Sequence, residues 1–484
     1  MTRGKVAVPL DLPWPAALRD GGAGKQEAAY AALRDAILSQ LLPAGSRLPS
    51  SRTLAERWQL SRGTVELVFD RLRAEAYVAR APGSGTRVCA LVPERFLMAA
   101  YGVAAPTAAA PASPAARSSP ETGARNGLPF AARMADPALF PMATWSKYLA
   151  RALRGASDEQ LCSADPCGAP ALRARIADYL GRHRGIQCAA ADVVITTGIR
   201  HTLDLVARAV LAPGDTVCVE DPGYPAAAAI FVLAGARIAP VAVDGEGIDC
   251  AALRAHAHAR LAYVTPAHQS PLGVTMSLTR RLELLDWASA GGAWIVEDDY
   301  DSEFNYHSAP LAALKSLDRY DRVIYCGSFN KTLFVGMRVG YAVLPAALRE
   351  RLLGIWQDSG RSVGIGDQLA LAAYMADGAF LRHLRLARRA YQERRDAVLA
   401  ILAAAGAYAV SGQEAGFHFV LWLPDGCTEA GLLARASAAG LALHPLRAFC
   451  REARPAPAIV VGYSALTLAQ ARFGARKLAA LLKA

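Results

Sequence analysis

The sequence predicts two folded units of different class. A small N-terminal winged helix-turn-helix (α+β) precedes a large α/β unit with a mostly parallel sheet, and a linker joins them. Three observations carry this reading. The chain has 484 residues, more than one ordinary domain of roughly 100–200 residues holds. Residues 99–127 are rich in Ala, Pro and Ser with almost no large apolar side chains, and such a segment buries too little surface to offset its ordering entropy. After residue 190, strand-like runs alternate with helical ones, the pattern of an α/β sheet. The divisions expected are an N-terminal arm at 1–25, the winged helix at 26–90, the linker at 91–127 and the large unit at 128–484.

Composition narrows the partners. Hydrophobic residues make up 53% and charged residues 20%, enough apolar side chain for a large core and far from a disordered composition. The formal charge of +11 suits an anionic partner, whether nucleic acid, anionic lipid or a phosphorylated ligand. The first 90 residues hold 13 Lys/Arg against 8 Asp/Glu, a net +5, while the remaining 394 carry +6. Positive charge is therefore nearly four times denser in the small unit. No stretch of ~18 uncharged, strongly apolar residues occurs, which excludes a membrane-spanning helix. The N-terminus lacks the apolar run of a signal peptide. Nine scattered cysteines without a Cys-x-x-Cys fit reduced, cytoplasmic thiols and no zinc site.

In the small unit, Leu33, Ile37, Leu38 and Leu41 follow helical spacing from Gln26 to about Leu42, and Pro43-Ala-Gly45 ends that helix. Ser50 or Ser51 can cap a short helix carrying Leu54, Ala55 and Trp58. After a break at Gln59-Leu60, Ser61 can cap a second helix with Val65, Phe69 and Leu72 on one face. Two short helices around a tight turn form a helix-turn-helix. Tyr77–Arg80, a turn over Ala81-Pro-Gly-Ser-Gly85, and Thr86–Val88 then make a β-hairpin where a winged helix keeps its wing. With the second helix in a major groove, its first residues meet DNA first. Arg62 can read guanine, Ser61 and Thr64 can bond phosphate, Gly63 permits close approach, and Arg52 can clamp backbone. Gly83 and Ser84 sit at the wing tip.

Four motifs carry chemistry in the large unit. Val193–Leu203 runs a strand through Thr196-Thr-Gly198 into a helix, whose opening amides form a phosphate cradle. Glu220-Asp-Pro-Gly-Tyr224 presents Tyr224 at a strand end, where its ring can stack on a planar cofactor or merely pack on the turn. Trp294–Phe304 ends a hydrophobic strand in a burst of carboxylates, the place where α/β folds set ligands. Glu297, Asp298 and Asp299 are conceivable metal ligands, but a carboxylate holding a pyridinium proton, with the Tyr300 phenol two residues on, suits the motif better. Val323–Tyr341 sets a single lysine, Lys331, among uncharged residues, as Schiff-base chemistry wants. Ser328 and Arg338 bracket it and can hold a phosphate, Arg338 in a fork.

The small unit resembles the winged helix of GntR-type regulators in Gly45-Ser-Arg-Leu-Pro-Ser-Ser-Arg52, Leu60-Ser-Arg-Gly-Thr-Val65 and Pro82-Gly-Ser-Gly-Thr86. From Asp136-Pro-Ala-Leu-Phe-Pro141 to Gly462-Tyr463 the large unit resembles fold-type I aminotransferases, and includes Thr265–Gly273 and Glu297–Phe304. The fusion is similar to the MocR (GabR-like) subfamily. That resemblance implies pyridoxal 5′-phosphate as cofactor. Lys331 would form its Schiff base, Asp298 would pair the pyridinium nitrogen, Tyr300 would meet the ring oxygen and Tyr224 would stack on the ring. Thr197, Gly198, Ile199, Ser328 and Arg338 would hold its phosphate. The sequence departs from the family pattern at Ala76, where glycine is usual, and at Asn330, where serine is usual. It departs also at Ser163 and Ala169, where tyrosines are usual, and at Ser270, where an aromatic residue is common.

The function expected is a cytoplasmic, PLP-dependent transcriptional regulator that binds a double-stranded DNA operator and senses an amino compound or PLP. The family implies a homodimer, head-to-tail, with each DNA-binding head over the other subunit. An effector carboxylate would want an arginine, for which Arg447 and Arg454 are candidates. Two rivals stay open: a working aminotransferase with a regulatory head, and a repressor whose large unit only dimerises.

Overall fold

The computed structural model describes residues 24–81, 85–90, 128–130, 134–162, 165–306, 312–359 and 363–483. The chain separates into two units that divide at Arg117, inside the stretch expected to be linker. The linker itself, nearly all of the N-terminal arm, Gly83, Ser84 and Ser163 lie outside the described residues.

In the small unit, α1 (Lys25–Leu38), α2 (Ser51–Arg57) and α3 (Arg62–Ala74) precede the hairpin β1 (Val78–Ala81) and β2 (Gly85–Val88). Helix α1 stops four residues earlier than its apolar spacing suggests. Gln40 takes a left-handed backbone with φ 63°, so Leu41 turns out to solvent while Leu42 goes to the core. Ser50 caps α2 by accepting the Thr53 N–H, and Ser61 caps α3 by accepting the Thr64 N–H. The buried face of α3, Val65, Val68, Phe69 and Leu72, packs with Leu33 and Ile37 of α1 and with Trp58. The hairpin is antiparallel, with Val78 opposite Val88 and Arg80 opposite Thr86.

The large unit is built on a sheet of eight strands: β3 (Val193–Thr196), β4 (Thr216–Asp221), β5 (Arg237–Asp244), β6 (Gly247–Ile248), β7 (Leu261–Val264), β8 (Trp294–Asp299), β9 (Val323–Ser328) and β10 (Gly340–Val343). Their order is β3-β10-β9-β8-β7-β4-β5-β6. Strands β9, β8, β7, β4 and β5 run parallel, while β10 is antiparallel to both neighbours. Strands such as Val193–Thr196 and Leu261–Val264 are buried throughout, because helices cover both faces and leave no solvated side to alternate with. Along β8, Trp294 and Val296 join one apolar cluster and Ile295 another, so successive side chains serve opposite layers. A smaller C-terminal sheet of β11 (Val410–Ser411), β12 (His418–Trp422), β13 (His444–Pro445) and β14 (Ala458–Gly462) is antiparallel, in the order β11-β12-β14-β13. Among the helices that position the sites are α4 (Pro170–Arg184), α5 (Ile199–Val210), α6 (Phe329–Thr332) and α7 (Ala379–Ala405). No helix of the described residues is long and apolar enough to cross a membrane.

Candidate functional site

Each unit carries its own site. In the small one, the cap at Ser61 starts α3 in a single orientation, so the first turn projects from the surface. Ser61, Arg62 and Gly63 are exposed and Thr64 is half-buried. The Ser61 and Thr64 hydroxyls lie 2.8 Å apart and the Thr64 N–H is spent on the cap, so only Arg62 offers a long, mobile donor there. Arg52 is exposed and pairs with Glu56 at 3.1 Å, a contact worth a few tenths of a kcal/mol, which a phosphate can displace.

In the large unit, the carboxyl ends of the strands gather most of the residues expected around a cofactor. One cavity is lined by Ile199, Tyr224, Asp298, Tyr300 and Lys331. Lys331 sits in the single turn of α6, which Ser328 caps by accepting the Asn330 N–H. Its ammonium lies 5.7 Å from the centre of the Phe417 ring. Asp298, at the end of β8, accepts a hydrogen bond of 2.5 Å from Tyr263 on β7. Burial, aided by the charge of Asp299, pushes its carboxyl up to about 7, against the opposing pull of Tyr263 and Lys331. Tyr300 places its hydroxyl 3.3 Å from His268 Nδ1. That nitrogen is 2.8 Å from Asp301 and Nε2 is 3.2 Å from the Gly412 carbonyl. Both ring nitrogens thus face oxygen atoms; burial disfavours a charged ring, but Asp301 holds His268 above its usual range. The Tyr224 hydroxyl accepts from Arg200 Nε at 3.4 Å.

The phosphate cradle differs in detail from expectation. The amides of Thr197 and Gly198 are bonded to His201 Nδ1 and Thr196 Oγ1, so the open donors begin one residue later. Ile199 and Arg200, in the first turn of α5, have no intrahelical acceptor. Close backbone approach is built in: Gly198 has φ 116°, and a Cβ there would stand 2.8 Å from Asn330 Nδ2. Gly340 lies opposite both Thr196 and Ser328, so register brings the two cradle segments together. Asn330 also accepts the Val339 N–H at 3.0 Å, which closes the loop carrying Arg338. Arg338, with φ 52°, is exposed and does not line the cavity itself.

The remaining expected residues divide between this cavity and other places. Arg447 and Arg454 do not line the Lys331 cavity. The Asp221 carboxylate takes the N–H groups of Arg451, Glu452 and Ala453, which anchors their segment. Arg447 lines a separate hollow with Thr428 and Glu429, and Arg454 bonds its neighbours' carbonyls. Ala169 donates its N–H to Gln368 and is not a cavity residue, whereas Ser270 is. The β8 carboxylates diverge: Glu297 accepts the Leu314 and Lys315 N–H groups and Asp299 pairs with Arg184. Tyr263 and His418, which also line the cavity, escaped the sequence reading. The one signal for Tyr263 is a polar-tipped residue within an otherwise apolar strand.

This donor set fits a phosphorylated pyridine aldehyde: an amine, a buried carboxylate aimed by Tyr263, an aromatic ring and open first-turn amides. Comparisons with known proteins agree. The model for "Bacterial regulatory proteins, gntR family" matches residues 25–88 and that for "Aminotransferase class I and II" matches 133–440. The chain is 33% identical over 453 residues to the probable rhizopine catabolism regulatory protein MocR of Rhizobium meliloti, covering 93% of this chain and 92% of that one. It is 32% identical over 366 residues to the pyridoxine biosynthesis transcriptional regulator PdxR of Corynebacterium glutamicum, covering 76% of each. Among solved structures, LysN, the α-aminoadipate aminotransferase of Thermus thermophilus, complexed with N-(5′-phosphopyridoxyl)-L-leucine, superposes with TM-score 0.67 and 31% identity, over 74% of this chain and 92% of that chain.

Proposed function

Because the chain belongs to the gntR family of regulatory proteins, in its MocR-type branch with an aminotransferase class I and II domain, we propose that it is a transcriptional regulator whose large unit uses pyridoxal phosphate to sense an amino compound or the cofactor itself. The large unit has the fold-type I aminotransferase fold. The observation that carries the reading is the convergence of Lys331, Asp298, Tyr224 and Tyr300 on one cavity, in a chain that also presents Arg62 at a capped recognition helix. Bound there, the cofactor supplies an aldehyde that condenses with primary amines and a ring that withdraws electrons. Lys331 provides the protein's own amine. Asp298 holds a proton on the ring nitrogen, and Tyr263 keeps that carboxylate aimed. Tyr300, fixed through His268, donates to the ring oxygen, while Ile199, Arg200, Ser328 and Arg338 hold the phosphate. An incoming amine competes with Lys331 for the same place.

The working form is a cytoplasmic homodimer, head-to-tail, each head serving the other subunit's large unit. Paired heads match spaced half-sites on DNA. The protein with pyridoxal phosphate is expected to be yellow, and Lys331→Ala to bleach it while leaving the fold intact. A variant as yellow as the parent would remove Lys331 from the site. Steady transamination at ordinary enzymatic rates would instead favour a working aminotransferase, a reading kept in view by Lys331 and Asp298 sharing one cavity.

A further inference from the structure

A larger cavity of the big unit, about 220 Å³, lies apart from Lys331, between α4, the loop after β8 and α7. Its charged rim is basic. Arg385 and Arg388, three residues apart and so on one face of α7, meet Arg184 from α4 and the His183 imidazole, which burial holds below its usual range. Neither Arg385 nor Arg388 forms an ion pair among the described residues. Arg184 is buried and paired with Asp299 at 2.6 Å. Among the described residues the only acid lining the cavity is Glu303; burial pushes its carboxyl up to about 7, so it carries only part of a negative charge at neutral pH. In the wall, Ser302 is 6% exposed and its hydroxyl has no hydrogen-bond partner among the described residues. Native interiors rarely leave a buried hydroxyl so. An excess of cations and one idle hydroxyl donor together call for an anion, and the volume admits a small one.

We propose that this cavity is a second ligand site, separate from the cofactor cavity, which takes a small organic dianion, a dicarboxylate or a phosphate monoester. Arg385 and Arg388 supply the charge-assisted bonds, Ser302 donates its hydroxyl, and Leu381 and Leu384 pack against the carbon chain. The site lies back to back with the cofactor cavity. Asp298 and Asp299 are consecutive on β8 and so point to opposite faces, Asp298 toward Lys331 and Asp299 toward Arg184. An anion beside Arg184 therefore changes the field at Asp298 through one pleat of the strand.

The test loads the full chain with pyridoxal phosphate, so that the cofactor cavity is filled, and titrates it calorimetrically with succinate and with glycerol 3-phosphate. One of the two is expected to bind saturably, one per chain, and the one that binds names the class. Arg385→Ser with Arg388→Ser is expected to weaken that binding about tenfold or more with the cofactor absorbance unchanged, and Ser302→Ala to weaken it less. Two results overturn the proposal: no saturable binding of either anion, or an isotherm unchanged by the double substitution. Loss of the isotherm in Arg338→Ala would place the anion at the cofactor and overturn it too. If the double variant loses affinity for duplex DNA while the parent binds neither anion, the arginines are a DNA-backbone contact. The same titration on cofactor-free chain separates failure here from failure of cofactor binding.

Discussion

Ala76 shows how a single position can hold an unfavourable backbone. It follows α3 and has φ 61°, a left-handed conformation that costs an L-residue about 1 kcal/mol. The glycine usual in the family at this place is thereby explained. Ala76→Gly is expected to raise the melting temperature of the small unit, by about 0.5–1 kcal/mol of stability in the full chain, as read by calorimetry; a lowered transition would refute the strain. Arg62 carries the opposite kind of claim, since nothing in the fold depends on its exposed side chain. Arg62→Ala is expected to weaken binding to a duplex selected from a random pool by about 1–3 kcal/mol and to relax sequence preference at one position. Unchanged mobility shifts would take Arg62 out of the readout. Asn330 was legible only as a departure from a pattern. Its purpose, closing the loop on Val339, needed coordinates, because a contact across nine residues leaves no periodic trace.

Strand β8 repeats this lesson on a longer stretch. Its apolar run and its terminal carboxylates were plain in the sequence, and Asp298, singled out among them, lines the cavity that holds Lys331. What each neighbour does was not, since alternation sends Glu297 and Asp299 into layers formed by distant segments, the Leu314 turn and Arg184. Helix α1 erred for the opposite reason: apolar spacing persists past Leu38, and a single left-handed Gln40 breaks it. The buried acids around β8 have a measurable consequence. Burial raises Glu220, Glu297, Asp298 and Glu303, each to about 7, while the unfolded chain releases these protons near its ordinary pKa of about 4. Between those values the native state holds more protons, so its stability falls as pH rises through the window. Cofactor-free protein is therefore expected to melt lower at pH 8 than at pH 6, by at least about 1 kcal/mol of stability. Loading with pyridoxal phosphate, whose ring nitrogen compensates Asp298, should shrink the difference. A higher melting point at pH 8 would contradict these assignments.

For the molecule as a whole, the two-unit division and both fold classes could be read from the linker composition, the capped helices and the strand–helix alternation. The effector arginines could not. Arg447 and Arg454 were chosen by nearness in sequence to the C-terminal sheet, and neither is among the residues lining the Lys331 cavity. The basic charge now has three separate addresses: the exposed turn of α3, the loop around Arg338 that Asn330 closes, and the Arg385–Arg388 face of α7. Communication between the unit that holds Lys331 and the gntR-family unit is best tested on the intact chain. Affinity for the selected duplex should be measured with and without pyridoxal phosphate, at fixed salt since phosphate contacts dominate such affinities, for the parent and for Lys331→Ala. The expected result is a cofactor-dependent affinity in the parent that Lys331→Ala abolishes. Equal affinity in all four conditions would mean that the cavity does not speak to the DNA heads, and the regulator reading would fall.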